Sequence, residues 1–250
     1  MAQQFYVSPE QVMKDRADFA RKGIARGKSV VVLSCIDGIA LVAENPSPTL
    51  HKIGEIYDRI AFAAVGKYNE FESLRQAGVR YADVRGYSYD RVDVTARGLA
   101  SVYAQSLGSV FTAEQKPFEV ELAVAEVGER QGQDHIFRLN FDGSISDESG
   151  FLAMGGKADL VQAVLERLWT SGASLGQALR WAVSALEAPR KDAASAGNPV
   201  AAPLAAPLLE VAVLDRNATR VRGSHRAFRR LTDAQVAEQL TSKQHDAENN

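Results

Sequence analysis

Residues 27–46 read GKSVVVLSCIDGIALVAENP. Two apolar runs, Val30–Cys35 and Ile39–Glu44, flank Asp37-Gly38, a dipeptide that closes two-residue hairpins because both of its residues tolerate positive φ. Neither run shows the polar alternation of a strand with one wet face. Both faces of this hairpin are therefore expected to be covered.

Upstream, Ser8-Pro9-Glu10-Gln11 supplies an N-cap, a proline at the first helical position and a Gln at the capping-box position. Met13, Ala17, Ala20 and Ile24 then recur at helical spacing up to Gly27, with Lys and Arg mostly elsewhere. An amphipathic helix over residues 9–26 is expected to dock beside the hairpin. Downstream, Lys52–Tyr57 and Ile60–Val65 read as strands around Asp58-Arg59, followed by helices over about Asn69–Asp83 and Val94–Phe111. Strands return at Phe118–Val127, Ile136–Phe141 and Phe151–Met154, with Asp142-Gly143 as a second turn signal. Helices over Ala158–Trp169 and Leu175–Leu186 come next. Residues 189–207, PRKDAASAGNPVAAPLAAP, read as a surface loop, and Leu209–Leu214 and His225–Leu231 as a last strand pair. Thr232-Asp233 caps a short helix, and residues 241–250 read as a polar, disordered tail.

Runs of strands alternating with pairs of helices do not build a doubly wound parallel sheet. They fit an α+β fold, a four-layer αββα sandwich of two antiparallel sheets, with an extra N-terminal helix. The expected division is a segment 1–8, one domain over 9–240 and the tail.

The 250-residue chain is 46% hydrophobic and 24% charged, with a formal net charge of -2. That balance gives no electrostatic reason to expect nucleic acid or an anionic membrane. The apolar stretch 30–43 is interrupted by Asp37-Gly38 and is too short to span a bilayer, and no secretory leader is read in MAQQFYVSPEQVMKDR, so a cytoplasmic protein is expected. Cys35, the only cysteine, allows no intrachain disulfide and reads as a small buried hydrophobe. His51, His135, His225 and His245 never fall at ligand spacing, so no metal or other cofactor is expected. MGGK at 154–157 fails as a phosphate loop, since its glycine spacing is wrong and Ala158 stands where Ser or Thr is needed; it reads as a strand-to-helix turn. Tyr57-Asp58-Arg59 reads more readily as a solvated turn than as a reactive trio. Glu44 and Lys52 close and open neighbouring strands, which is compatible with an activating pair or with a surface ion pair.

At this point an ordered series of segments resembles one family. SPEQVMKDRADFARKGIARG, KSVVVLSCIDGIALVAEN, HKIGEIYDRIAFAAVGKYNEF, KPFEVELAVAEVG, FRLNFDGSI, the MGG turn and SLGQALRWAVSAL are similar, over residues 5–240, to proteasome α-subunits of the actinobacterial type. The resemblance implies the αββα fold and a non-catalytic role. Catalytic β-subunits begin their hairpin with an N-terminal Thr. Aligning the two hairpins at Asp37-Gly38 puts Lys28 in its place, behind 27 residues of chain, while Glu44 and Lys52 keep the types of the β-subunit acid and lysine.

The resemblance further implies homo-heptameric outer rings on β-subunit rings, through which protein substrates pass. Met1, Ala2, Gln3, Gln4, Phe5, Tyr6 and Val7 would form the axial gate, with Ser8 and Pro9 as the turn into the helix. Only Phe5-Tyr6 stands where archaeal members carry Tyr-Asp-Arg. Lys52 would receive the C-terminal carboxylate of a ring ATPase activator's tail, and Gly27 would let that tail approach. Two alternatives stay open: a self-processed N-terminal nucleophile hydrolase using Ser29 or another residue, and a free-standing binding module.

Overall fold

The computed structural model describes residues 8–195, 203–219 and 226–241. Its strands form two five-stranded antiparallel sheets. The hairpin of β1 (Val30–Cys35) and β2 (Gly38–Glu44) sits inside the first sheet. There β2 is flanked by β9 (Leu209–Asp215), which in turn pairs with the edge strand β10 (Phe228–Arg230), and β1 is flanked by β8 (Phe151–Met154). The second sheet runs β3 (Ile53–Tyr57), β4 (Ile60–Gly66), β5 (Val120–Glu126), β6 (His135–Leu139) and β7 (Ile145–Asp147) in chain order.

The missing alternation in the hairpin has a direct cause. Val30, Val32, Ile39 and Leu41 point between the sheets, onto Ala61, Ala63, Ala123 and Ala125 of the second sheet. Their neighbours Val31, Leu33, Ala40 and Val42 point outward, onto Val161 and Leu165 of α4 (Ala158–Leu168) and Leu179 and Ala182 of α5 (Leu175–Ser195). On the opposite outer face, Phe62 and Val124 meet Leu74 of α2 (Tyr68–Ser88) and Leu99, Tyr103 and Leu107 of α3 (Ala96–Ala113). Three apolar layers thus separate four layers of secondary structure. Small alanines on one inner face let branched side chains from the other interdigitate at ordinary sheet-packing distance.

Helix α1 (Pro9–Ala25) starts as its sequence indicates: Gln11 N donates to Ser8 Oγ at 3.2 Å, with Pro9 in the first turn. Only its C-terminal half is covered, through Ala20 and Ile24, while Met13 is 39% and Phe19 46% exposed. The expected stripe therefore docks over its last turns alone.

Three expectations need correction. Ile145–Asp147 is a strand that the sequence reading left out, because it is three residues long, wholly exposed, and has only Ile145 as an apolar residue. The segment from residue 189 is not loop from its start. Helix α5 continues through Pro189 to Ser195, although proline removes the donor to the carbonyl four residues back. Strand β10 is three residues long, against the expected His225–Leu231; His225 lies outside the described residues. Cys35 is buried as expected, and burial pushes its thiol up to about 11.

At the hairpin tip, Arg216 and Asp134 form a buried bidentate pair at 2.7 and 2.9 Å. The guanidinium also donates to the carbonyls of Cys35 and Ile36, and Ser34 Oγ donates to Asp134 at 2.6 Å. Asp134 precedes β6 and Arg216 follows β9, so this pair clamps the tips of both sheets.

Candidate functional site

The opposite, open end of the hairpin gathers the residues singled out above. Glu44 N donates to Ser29 O at 3.3 Å, closing the strand pair. The Glu44 carboxylate meets Lys28 Nζ at 3.1 Å and Arg190 Nη2 at 3.6 Å. The Lys52 ammonium takes a different partner set: it donates to Lys28 O at 2.8 Å and Glu44 O at 3.2 Å. Glu44 and Lys52 are thus adjacent, as the sequence implies, but their hydrogen bond runs to the backbone carbonyl rather than to the carboxylate. Burial lowers the Lys52 pKa to about 8 against the pull of Glu210 and Glu44, with Lys28 lowering it further.

Gly27 lies on the same end, with Lys28 between it and the Lys52 ammonium. Its N–H closes α1 onto Ile24 O at 2.9 Å, and its carbonyl accepts from Gly156 N at 3.1 Å. A Cβ at Gly27 would stand 2.4 Å from Val65 Cγ1, so close packing on the second sheet is reason enough for glycine here. Gly27, Lys28, Ser29, Glu44, Lys157 and Arg190 line a cavity of ≈ 400 Å³. Lys52 instead lines a cleft of ≈ 470 Å³ with His51, Tyr68, Arg75 and Arg230.

Glu210 escaped the sequence reading. It is 7% exposed and is the second residue of the first sheet's β9. Its carboxylate accepts from Asn45 Nδ2 at 2.7 Å, Lys52 N at 2.9 Å and Ile53 N at 3.2 Å, and from the Arg230 guanidinium. His51 Nδ1 lies 3.4 Å away. A lone acid inside the apolar run Leu208–Leu214 is the signal that could have found it, because a carboxylate is buried only where donors converge.

The arrangement does not suit nucleophilic catalysis. Ser29 is 8% exposed and sits mid-chain behind a packed helix, so no α-amine adjoins its hydroxyl. Two protons of the Lys52 ammonium go to backbone carbonyls rather than toward a serine.

Of the remaining candidates, Ser8 and Pro9 form the start of α1, and Met1–Val7 lie outside the described residues. Asp58 is a turn residue held by Arg91 at 2.9 Å, and Arg59 Nε donates to Val127 O at 2.7 Å. Gly155, at φ +102, makes the turn from β8 into α4. Among the described residues no group of three or more His, Cys, Asp and Glu could hold a metal ion, and no helix is long and apolar enough to cross a membrane.

A model of the proteasome subunit family matches residues 24–202. A proteasome subunit alpha of Pseudarthrobacter chlorophenolicus is 71% identical over 94% of this chain and 98% of its own length. Those of Renibacterium salmoninarum and Kineococcus radiotolerans are 70% and 62% identical, over 97% and 95% of this chain and 97% of each relative.

The chain belongs to the proteasome α-subunit family.

It is an α-type, non-catalytic subunit of the proteasome core particle, and protein degradation is the process it serves. In that light the hairpin is a protease-family strand pair with Lys28 at its head. The Lys52 ammonium is tied to Lys28's own carbonyl.

Proposed function

We propose that the chain builds the seven-membered outer rings of the particle, stacked on rings of β-subunits, in the cytoplasm. Residues 1–8 act as the gate of the axial pore, residues 9–240 form the body of the subunit, and residues 241–250 are a tail. Lys52 receives the C-terminal carboxylate of a ring ATPase activator, and Gly27 borders the approach. Activation then opens the way for tagged protein substrates into the β rings.

One observation carries the docking part. Lys52 is a half-buried ammonium that donates to two carbonyls, and an ammonium has three protons to give. A chain-terminal carboxylate is a suitable further acceptor for such an ammonium, since charge-assisted bonds are the stronger kind. Full-length identity to proteasome α-subunits supports the ring assembly.

The test is co-expression with the β-subunit, followed by sizing and by peptide hydrolysis with and without the activator. The reading expects a large particle whose hydrolysis the activator stimulates, and expects Lys52→Ala to assemble yet lose that stimulation. Normal stimulation of the Lys52→Ala particle rules out the docking role. A monomer that ignores the β-subunit rules out the ring.

A further inference from the structure

We propose that Glu210 is the positioning residue for Lys52: one buried carboxylate on the first sheet fixes the backbone from which the lysine reaches its two carbonyls. This rests on the docking role given to Lys52 above.

The geometry is a splice between sheets. Lys52 immediately precedes, and Ile53 begins, β3, the edge strand of the second sheet. Both donate to Glu210, at 2.9 and 3.2 Å, which belongs to β9 of the first sheet. Arg230 binds the same carboxylate and donates to Ile53 O at 2.8 Å, adding β10 to the joint. Asn45 joins Glu210 to Leu50 O, both at 2.7 Å, and so fastens the loop that leads into Lys52. The lysine's base is thus anchored by the C-terminal strand pair, and its tip by the ends of β1 and β2. A carboxylate accepting this many donors is rigid, and losing it leaves several buried N–H groups unpaired.

The same carboxylate acts on the ammonium's charge. The groups facing Lys52 are Lys28 and Glu44 from the hairpin, Glu210 and Arg230 from the last strand pair, and His51 beside it in the chain, with Arg190 of α5 on Glu44. Among the anions Glu210 favours the charged form most, ahead of Glu44.

The experiment uses particles assembled with the β-subunit and a synthetic copy of the activator's C-terminal tail. The amidated tail serves as control, and stimulation is read relative to each particle's own basal rate across the neutral to alkaline range. For Glu210→Gln, docking weakens and its alkaline fall-off moves to lower pH by about one unit, roughly a fivefold loss at the wild-type midpoint. Adding Lys52→Arg to that variant flattens the fall-off, because guanidinium does not titrate there. Glu210→Asp keeps the charge but shortens the reach; it weakens docking at every pH and leaves the fall-off in place. A particle that merely lost stability would not move the fall-off.

An unshifted fall-off in Glu210→Gln overturns the proposal, as does wild-type affinity in Glu210→Asp. If Glu210→Gln does not assemble, Glu210→Asp decides alone by the same criterion. If Lys52→Ala itself docks the tail normally, the docking reading fails first, and the two failures are told apart.

Discussion

The Lys52 ammonium donates to the Lys28 carbonyl at 2.8 Å. The residue at the head of the hairpin therefore supplies a backbone acceptor, not a reactive side chain, and that bond helps fix the lysine proposed above to dock the activator tail. Burial has already brought its pKa down to about 8. A carboxylate tail binds the protonated form, so the sign follows. Docking is flat below neutral pH and weakens as pH rises through about 8. The fall is up to about tenfold per pH unit until the tail-bound lysine itself titrates. Titrating tail-stimulated peptide hydrolysis against pH checks this, and stimulation unchanged to well above that value would contradict it.

Removing residues 1–8 is expected to raise basal peptide hydrolysis by the assembled particle, because those residues are the proposed gate. The variant keeps Pro9 in the first turn of α1 but loses the Ser8 cap, which costs about 1 kcal/mol of helix stability. Sizing confirms assembly and the basal rate reports the gate. An unchanged rate speaks against it.

Gly27→Ala tests packing rather than chemistry. The new Cβ would stand 2.4 Å from Val65 Cγ1, so the helix end or the strand must shift, at about 1–3 kcal/mol. Val65→Ala in the same chain removes the obstructing methyl group and should recover part of that loss. Thermal denaturation of the single and double variants measures both. Additive losses would show that the contact is not the cause.

The clamp at the hairpin tip gives a fourth prediction. Asp134→Ala leaves the Arg216 guanidinium, only 6% exposed in its side chain, without its anion. Breaking such a buried pair costs about 3–5 kcal/mol. Replacing Arg216 with Met in that variant is expected to restore part of the loss, since the unpaired charge is gone. Denaturant unfolding of the three variants gives the coupling, and strict additivity would show that the two residues act apart.

Much of the fold was legible because covered strands leave a plain signature. Val30–Cys35 bounded by Asp37-Gly38 reads as a doubly covered hairpin, and Ser8-Pro9 as a helix start, and the structure has both. Short exposed pieces such as Ile145–Asp147 had little to show, since their strand character comes from pairing with β6. Pro189 misled for a physical reason: it usually ends a helix, yet here α5 carries on past it and brings Arg190 toward Glu44. At the site, Lys52 and Glu44 were visible as neighbours because eight residues separate them. Glu210 was not, because its claim on Lys52 N spans 158 residues of chain.

The strand order also sets a schedule for synthesis. β2 is complete at Glu44, but its outer neighbour β9 ends at Asp215, and seven residue pairs join them, from Gly38↔Asp215 to Glu44↔Leu209. At about 5–20 residues per second, the hairpin waits roughly 9 to 34 seconds for that strand. In the interval all five strands of the second sheet emerge in spatial order and can pair as they come. β1 meanwhile lacks β8, so the nascent chain holds out two unpaired apolar edges, the kind that seed misassembly. The most apolar strands of the chain are made first and receive their outer neighbours last.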